Sequence, residues 1–362
     1  MKTAILVGCG GWGQTWVEHT LPRGVHDGLI TVIGAVDTNA DHLVFVKKNL
    51  NLTDGQCFTN LEKALSELNP DICVIAAPPA AHEAIAITAM EYGCDVLSEK
   101  PITDNPDSMF RLLRKAEDTG KKYGITMSHR FNRHIATLRN EILSGKYGYL
   151  DYIVFNFSAR QEEMNGRQKK LENVMLNEAS IHHFNLLESL VGSECETMFV
   201  DKWCPMHALD MKGGAQSLTV MKFKNNVRVG YEMSMCNASS LNSWGNESIR
   251  AELEKATLVL NGNSLHCYLK EEPEEMVNFP GTGFEIPLIG NEEERWGNDL
   301  LLEKFVLWVN GGKAMPTELK RSFRSQMMVF AAIESGEQKK IVNIDELIHD
   351  YQMKFKRSEE LL

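Results

Sequence analysis

The chain has 362 residues, 43% of them hydrophobic and 24% charged, which is the make-up of an ordinary globular protein long enough for two domains. Its formal net charge is −11, and the basic pairs Lys320-Arg321 and Lys339-Lys340 are short and sit among helix-forming residues, so neither a nucleic acid nor an anionic membrane is expected as a partner. No apolar run reaches membrane-spanning length and no apolar leader precedes the first strand, so a cytoplasmic protein is expected.

From the N-terminus, an aliphatic run at 3–7 leads into Gly8-Cys9-Gly10-Gly11-Trp12-Gly13 and then a helix-compatible stretch from Gln14 to His19. A strand, a G-x-G-x-x-G turn and a helix are the parts that grip a dinucleotide pyrophosphate. Gly8 suits the tight turn, Gly10 removes a Cβ where backbone must approach phosphate, and Gly13 lets the helix sit close to the strand. A second strand at 30–36 ends in Asp37, where a carboxylate accepts hydrogen bonds from the adenosine ribose hydroxyls and repels a 2′-phosphate. That favours NAD over NADP. The plainer reading of Asp37 is a turn cap with Thr38 and Asn39.

Further strands are readable at 72–76, 95–98 and 124–127, separated by apolar positions at helical spacing over 61–65, 81–92 and 106–120. Gly93 and Gly120 close two of those helices. Residues 1–126 therefore read as a doubly wound α/β domain with a parallel sheet, whose ligands lie at the carboxyl ends of its strands. From 127 to 362 the pattern changes. After a helix over 135–144 come alternating segments at 152–157, 217–223, 227–233 and 256–260, with helices over 177–190, 299–309 and 319–335. Alternation broken by Gly and Asn turns predicts an α+β domain with a large, mostly antiparallel, open sheet. The polar stretch 159–173 is read either as a loop over the cleft or as a solvated insert. The segment 239–247 is read either as a loop whose Asn242, Trp244 and Asn246 hydrogen-bond and stack on a ligand ring, or as a polar loop anchored by one tryptophan.

The eight cysteines, at 9, 57, 73, 94, 195, 204, 236 and 267, form no C-x-x-C pair and no Cys/His set at zinc-ligand spacing. They read as buried hydrophobes in a reducing compartment, and no metal site is expected.

Two segments carry chemistry. Ser98-Glu99-Lys100-Pro101 stands where the fourth readable parallel strand ends. Pro101 restricts the backbone of Lys100, and an ammonium there stabilises a developing alkoxide. The plainer alternative is a surface Glu-Lys pair before a turn. In the helix over 177–190, Glu178 and His182 are one turn apart, so that a carboxylate can orient an imidazole suited to accept a proton near neutral pH. His183 points elsewhere and reads as structural.

Taken together, the glycine turn, Asp37, Ala76-Ala77-Pro78-Pro79-Ala80-Ala81-His82, Glu99-Lys100-Pro101, Arg130-Phe131 and the Glu178-to-His182 helix resemble the Gfo/Idh/MocA oxidoreductase family over essentially the whole chain, including Asn310-Gly311-Gly312-Lys313 and Ala331-Ala332-Ile333-Glu334-Ser335. The resemblance implies an NAD-binding Rossmann domain (1–126) and a substrate-binding and oligomerisation domain (127–362) that assembles a homodimer or homotetramer through its sheet. It implies oxidation or reduction of a secondary ring hydroxyl of a sugar, cyclitol or glycoside, with Lys100 polarising the oxygen, His182 as base and Glu178 beside it. Gly8, Gly10, Gly11, Trp12, Gly13, Asp37, Ala77, Pro78, His82, Glu99, Lys100 and Arg130 are the implied cofactor residues. The chain departs from the family pattern where it has Glu178 for Asp, Ser180 for Gly, Asn185 for Asp and Arg133 for Pro. Two other net functions remain open: an NAD-dependent glycoside-cleaving enzyme working through a transient keto-sugar, and a dinucleotide-sensing regulatory protein.

Overall fold

A computed structural model describes residues 1–161, 172–270 and 283–360. Most of the 159–173 stretch therefore lies outside the described residues. Six short strands, β1 (Lys2–Val7), β2 (Ile30–Val36), β3 (Cys57–Phe58), β4 (Ile72–Ile75), β5 (Asp95–Ser98) and β6 (Tyr123–Ile125), form a parallel sheet in the order β3-β2-β1-β4-β5-β6. Their sequences are continuous apolar runs because helices cover both faces of such a sheet; all four residues of β4 are buried. The strand order reverses at the β1/β4 junction, the point where ligands of this architecture bind. Gly8, Asp37, Ala76 and Glu99 directly follow four of these strands. Between them run helices whose ends are set by local chemistry. Pro106–Thr119, for example, begins at Asn105, whose side chain accepts from the Asp107 N–H, and ends at Gly120 in the left-handed region.

The chain separates into two compact units by contact, one made of the described residues of Met1–Ser128, Arg295–Gln326 and Tyr351–Leu362, the other of those of His129–Glu294 and Met327–Asp350. Two consecutive segments meeting at 126/127 do not describe the two returns to the first unit. They return because apolar partners wait there. In helix Gly297–Val309, Leu301, Leu302, Phe305 and Val306 are buried; Ile125 N–H donates to the Thr317 carbonyl; and the Phe110 ring meets those of Phe323 and Phe355.

The second unit is built on nine strands: β7 (Leu150–Ser158), β8 (Cys195–Trp203), β9 (Gln216–Phe223), β10 (Arg228–Ser234), β11 (Ser248–Leu253), β12 (Ala256–Asn261), β13 (Ser264–Leu269), β14 (Phe284–Ile286) and β15 (Val342–Asn343). Their order is β14-β13-β12-β11-β7-β10-β9-β8-β15, antiparallel except for the β7/β10 pair. Alternation along each strand sorts the faces. Phe155, Phe157, Met221, Val229, Tyr231 and Ile249 are buried, whereas Phe199, Trp203, Leu218 and Val220 stay exposed on β8 and β9. The helix Ile181–Val191 is buried in this unit at every position but Glu188, polar residues included. It is entered through a π-helical turn, Met175–Ser180, a wider winding that periodicity does not reveal. A second such turn, Trp16–Thr20, joins helix Gly11–Thr15 to Leu21–His26 in the first unit.

Candidate active site

The glycine turn is packed so closely that side chains are excluded from it. At Gly8, with φ of +91°, a Cβ would fall 2.5 Å from the Ala77 nitrogen, and at Gly13 it would fall 2.1 Å from the Gly8 carbonyl oxygen. Backbone, which cannot swing aside, fixes both positions. Gly10 differs from expectation: a Cβ there would meet the His42 ring at 2.7 Å, so the room it leaves is taken by a side chain of this protein. Beside Gly11 the space is open, with no atom within 4 Å of an added Cβ. The helix that begins there has extended Gly10 at its N-cap with no side-chain cap, leaving backbone N–H groups for an anion.

Asp37 both caps the turn and supplies an acceptor. Its Oδ2 accepts from Cys9 N–H at 2.7 Å and its Oδ1 from Asn39 N–H at 2.8 Å, while the His42 ring nitrogen Nδ1 lies 3.1 Å from Oδ2. Burial pushes the carboxyl upward, but these hydrogen bonds outweigh it and hold Asp37 below the usual carboxylate range. A carboxylate has about four lone-pair sites, so an acceptor remains for a ribose hydroxyl. These residues fit a dinucleotide.

Glu99, nearly buried, accepts at Oε1 from two indoles, Trp12 Nε1 at 2.9 Å and Trp16 Nε1 at 2.8 Å. Trp12 is half exposed and Trp16 buried. Sequence reasoning missed Trp16, although its spacing of four from Trp12 puts both on one helix face. His82 is fully buried, with Nδ1 2.9 Å from the Pro101 carbonyl oxygen and Nε2 2.8 Å from that of Ala77. Burial favours its neutral form and lowers its pKa despite these acceptors. Neutral, His82 has one N–H and donates to one of these two carbonyls; it lies buried between the turn after β4 and the turn after β5 and does not line an open surface. Pro78 caps the helix Pro79–Glu91, and Lys100 is half-buried beside Glu99.

In the second unit, His182 stacks on His129, ring centroids 4.4 Å apart and planes inclined by 23°. Glu178 lies in the π-helical turn just before, half-buried. Trp244 stands edge-on to His129 at 5.0 Å and to Phe157 at 4.7 Å. The Asn242 amide donates to the Asn246 carbonyl and the Asn246 amide to that of Leu241. These contacts hold the loop itself together. Arg130, in the short turn Ser128–Phe131, donates to Asn185 on the His182 helix. Ser180 is explained by Tyr231: their hydroxyls are 3.1 Å apart, and the Tyr231 hydroxyl is 2.6 Å from His183 Nδ1.

Glu247, His129, His134 and Tyr231 have no sequence signal as site residues, yet Tyr231, His129 and Glu247 lie around His183, and His134 lies beside Glu247. Glu247 Oε1 is 3.5 Å from His129 Nδ1 and its Oε2 3.7 Å from His134 Nε2. Burial pushes the Glu247 carboxyl up, and the three histidines around it more than reverse that, to about 2. Burial drives His183 down to about 3.

A parallel sheet with a glycine-rich turn at its switch point and an acidic residue after the second strand defines a dinucleotide-binding domain. Models of the oxidoreductase family match here, its NAD-binding Rossmann fold over residues 2–127 and its C-terminal alpha/beta domain over residues 145–344. The chain belongs to the Gfo/Idh/MocA family and is an NAD-dependent oxidoreductase. It is 32% identical over 351 residues to the uncharacterized protein y4oX of Sinorhizobium fredii, covering 96% of this chain and 97% of that one. It is 26% identical over 187 residues to inositol 2-dehydrogenase of Corynebacterium glutamicum, about half of each chain (51% and 54%). The structure of the WlbA dehydrogenase from Bordetella pertussis in complex with NADH and UDP-GlcNAcA has the same fold, with a TM-score of 0.75 at 18% identity, covering 95% of this chain and 98% of that one. Among the described residues no helix is long and apolar enough to cross a membrane.

Proposed function

We propose that the protein oxidises a secondary ring hydroxyl of a sugar, cyclitol or glycoside. In this reading Lys100 polarises the reacting oxygen, His182 takes the hydroxyl proton, and Glu178 orients the imidazole. NAD, when bound, accepts the hydride from the carbon bearing that oxygen. The glycine turn and Asp37 hold the dinucleotide, with Glu99 fixed by its two indoles, while His82 backs the Lys100-Pro101 turn. Ala77, Pro78, Trp12 and Arg130 complete the proposed cofactor contacts. The supporting observation is the Glu99-Lys100 turn: in the same unit as the glycine cradle it directly follows β5, and buried His82 lies between it and the turn after β4. Ring hydroxyls as substrate are supported by inositol 2-dehydrogenase among the relatives and by the UDP-sugar ligand in the WlbA structure.

Residues 127–362 are proposed to carry the substrate contacts and to self-associate. Phe199, Trp203, Leu218 and Val220 lie exposed on adjacent strands of one sheet, the kind of face that a second copy covers.

Lys100→Met tests the reaction. Turnover should be abolished while NAD affinity stays within about twofold of the wild type, since the variant removes charge and little volume. Unchanged turnover would exclude the assigned role. Release of the aglycone from glycosides without accumulation of NADH would instead mark a redox-neutral cleavage.

A further inference from the structure

The half-buried His129 and the buried His183 and Glu247 side chains form a cluster for which hydride transfer has no use. They come from three separate places: the turn before helix Arg133–Leu143, the helix Ile181–Val191, and the strand-entry position before β11. One donor atom from each lies within 4.8 Å of the other two. We propose that they bind one divalent transition-metal ion, zinc being the ion that best suits two imidazoles and a carboxylate.

Three features carry this. First, His183 has its two nitrogens in different situations. Nδ1 is engaged by the Tyr231 hydroxyl, which is itself anchored on Ser180, whereas Nε2 is buried and has no hydrogen-bond partner among the described residues. An imidazole oriented through one nitrogen, with the other left as a bare donor, is the usual arrangement of a metal-ligating histidine. Second, Glu247 is 1% exposed and is positioned on both sides, with His129 at Oε1 and His134 at Oε2. His134 Nε2, 3.7 Å from Oε2, is placed to serve as the outer partner of the carboxylate. Third, the donor set is right in kind and charge. Two neutral imidazoles and one carboxylate carry a single negative charge, and a dication leaves the site at +1. This donor set is also that of several catalytic zinc centres. Around one tetrahedral ion, ligand bonds of about 2.0–2.2 Å put donors about 3.3–3.6 Å apart, so closure from within 4.8 Å draws a pair of donors together by at most about 1.5 Å, shared between the side chains. Alone among the three, the His129 side chain is partly exposed, at 15%, and it gives the ion its way in.

The inference does not depend on the hydride-transfer reading, because its test measures metal and not turnover. The full-length protein is stripped with a chelator, equilibrated with Zn2+ or Co2+, freed of excess ion by gel filtration and assayed for bound metal by mass spectrometry. About one equivalent is expected on the wild type, and less than a tenth of that on Glu247→Gln and His183→Gln. His134→Asn should keep the site but weaken it about 10–100-fold. Should His183→Gln not fold, as judged by circular dichroism, His129→Gln replaces it, since that side chain is the more exposed. The cobalt form should lack the intense thiolate-to-metal absorption that binding at any of the eight cysteines would produce. Wild-type protein that holds no more metal than Glu247→Gln overturns the proposal and leaves the cluster a buried ion pair. Retention of a full equivalent by the variants also overturns it.

Discussion

Removing the Asp37 side chain separates two roles that the sequence alone leaves entangled, turn cap and ribose acceptor. In Asp37→Ala, two backbone N–H groups lose their acceptor. The Asn39 N–H is exposed and recovers a water. Cys9 is fully buried, and its N–H, 2.7 Å from Oδ2, is left unpaired inside the glycine turn. A hydrogen bond to a charged group contributes about 1.5–3 kcal/mol, and for a folding unit of 150–250 residues that lowers the melting temperature by about 3–12 °C. The protein without NAD should show this fall by circular dichroism, and Asp37→Asn, which retains one side-chain oxygen, should show less of it. The effect has a pH signature. Because the folded-state pKa of Asp37 is depressed, its stabilisation is present above the unfolded value of about 3.9 and is lost as pH falls through the folded value. The gap between wild type and Asp37→Ala should therefore close below about pH 4. If NAD affinity drops while the melting temperature of the ligand-free protein is unchanged at pH 7, Asp37 is a ligand contact only and the capping argument is wrong.

Other expectations rest on single contacts. Gly13→Ala drives a Cβ against the Gly8 carbonyl and should cost about 1–3 kcal/mol of overpacking strain, with a matching loss of NAD affinity by titration calorimetry. Trp16→Phe removes one of the two indole donors on Glu99 and should destabilise the chain by about 1–3 kcal/mol in urea unfolding; a neutral result would show that Trp12 suffices. Leu218→Lys and Val220→Glu, both on the exposed face of β9, should shift the sedimentation coefficient to that of the monomer with the fold intact; an unchanged coefficient would place self-association elsewhere or exclude it.

What could be read from sequence follows from how each feature is encoded. Strands β1, β2, β4 and β5 lie under helices on both faces, so each is an apolar run bounded by turn residues. Two-residue β3 is too short to carry any pattern. In the second sheet, β8 and β11 carry Glu196, Asp201, Lys202, Arg250 and Glu252 on partly exposed positions, and these mask the alternation that made β9 and β10 legible. The π-helical turns leave no periodic trace, because a single wide turn changes the phase of a helix without changing its composition. Glu99 and Lys100 stood out because chemistry, turn and strand end coincide in four consecutive residues. His129, His134, His183 and Glu247 did not: they are spread over 119 residues, the ligand-spacing patterns for zinc are local, and only the folding of a helix against a nine-stranded sheet assembles them.

The most direct test of the proposed reaction is the absorbance of NADH during incubation of the protein and NAD with a panel of sugars, cyclitols and glycosides, run in parallel with Lys100→Met. NADH should accumulate with at least one secondary ring alcohol in the wild type and not in the variant. NADH formed equally by Lys100→Met, or no NADH while aglycone is released, would contradict the account.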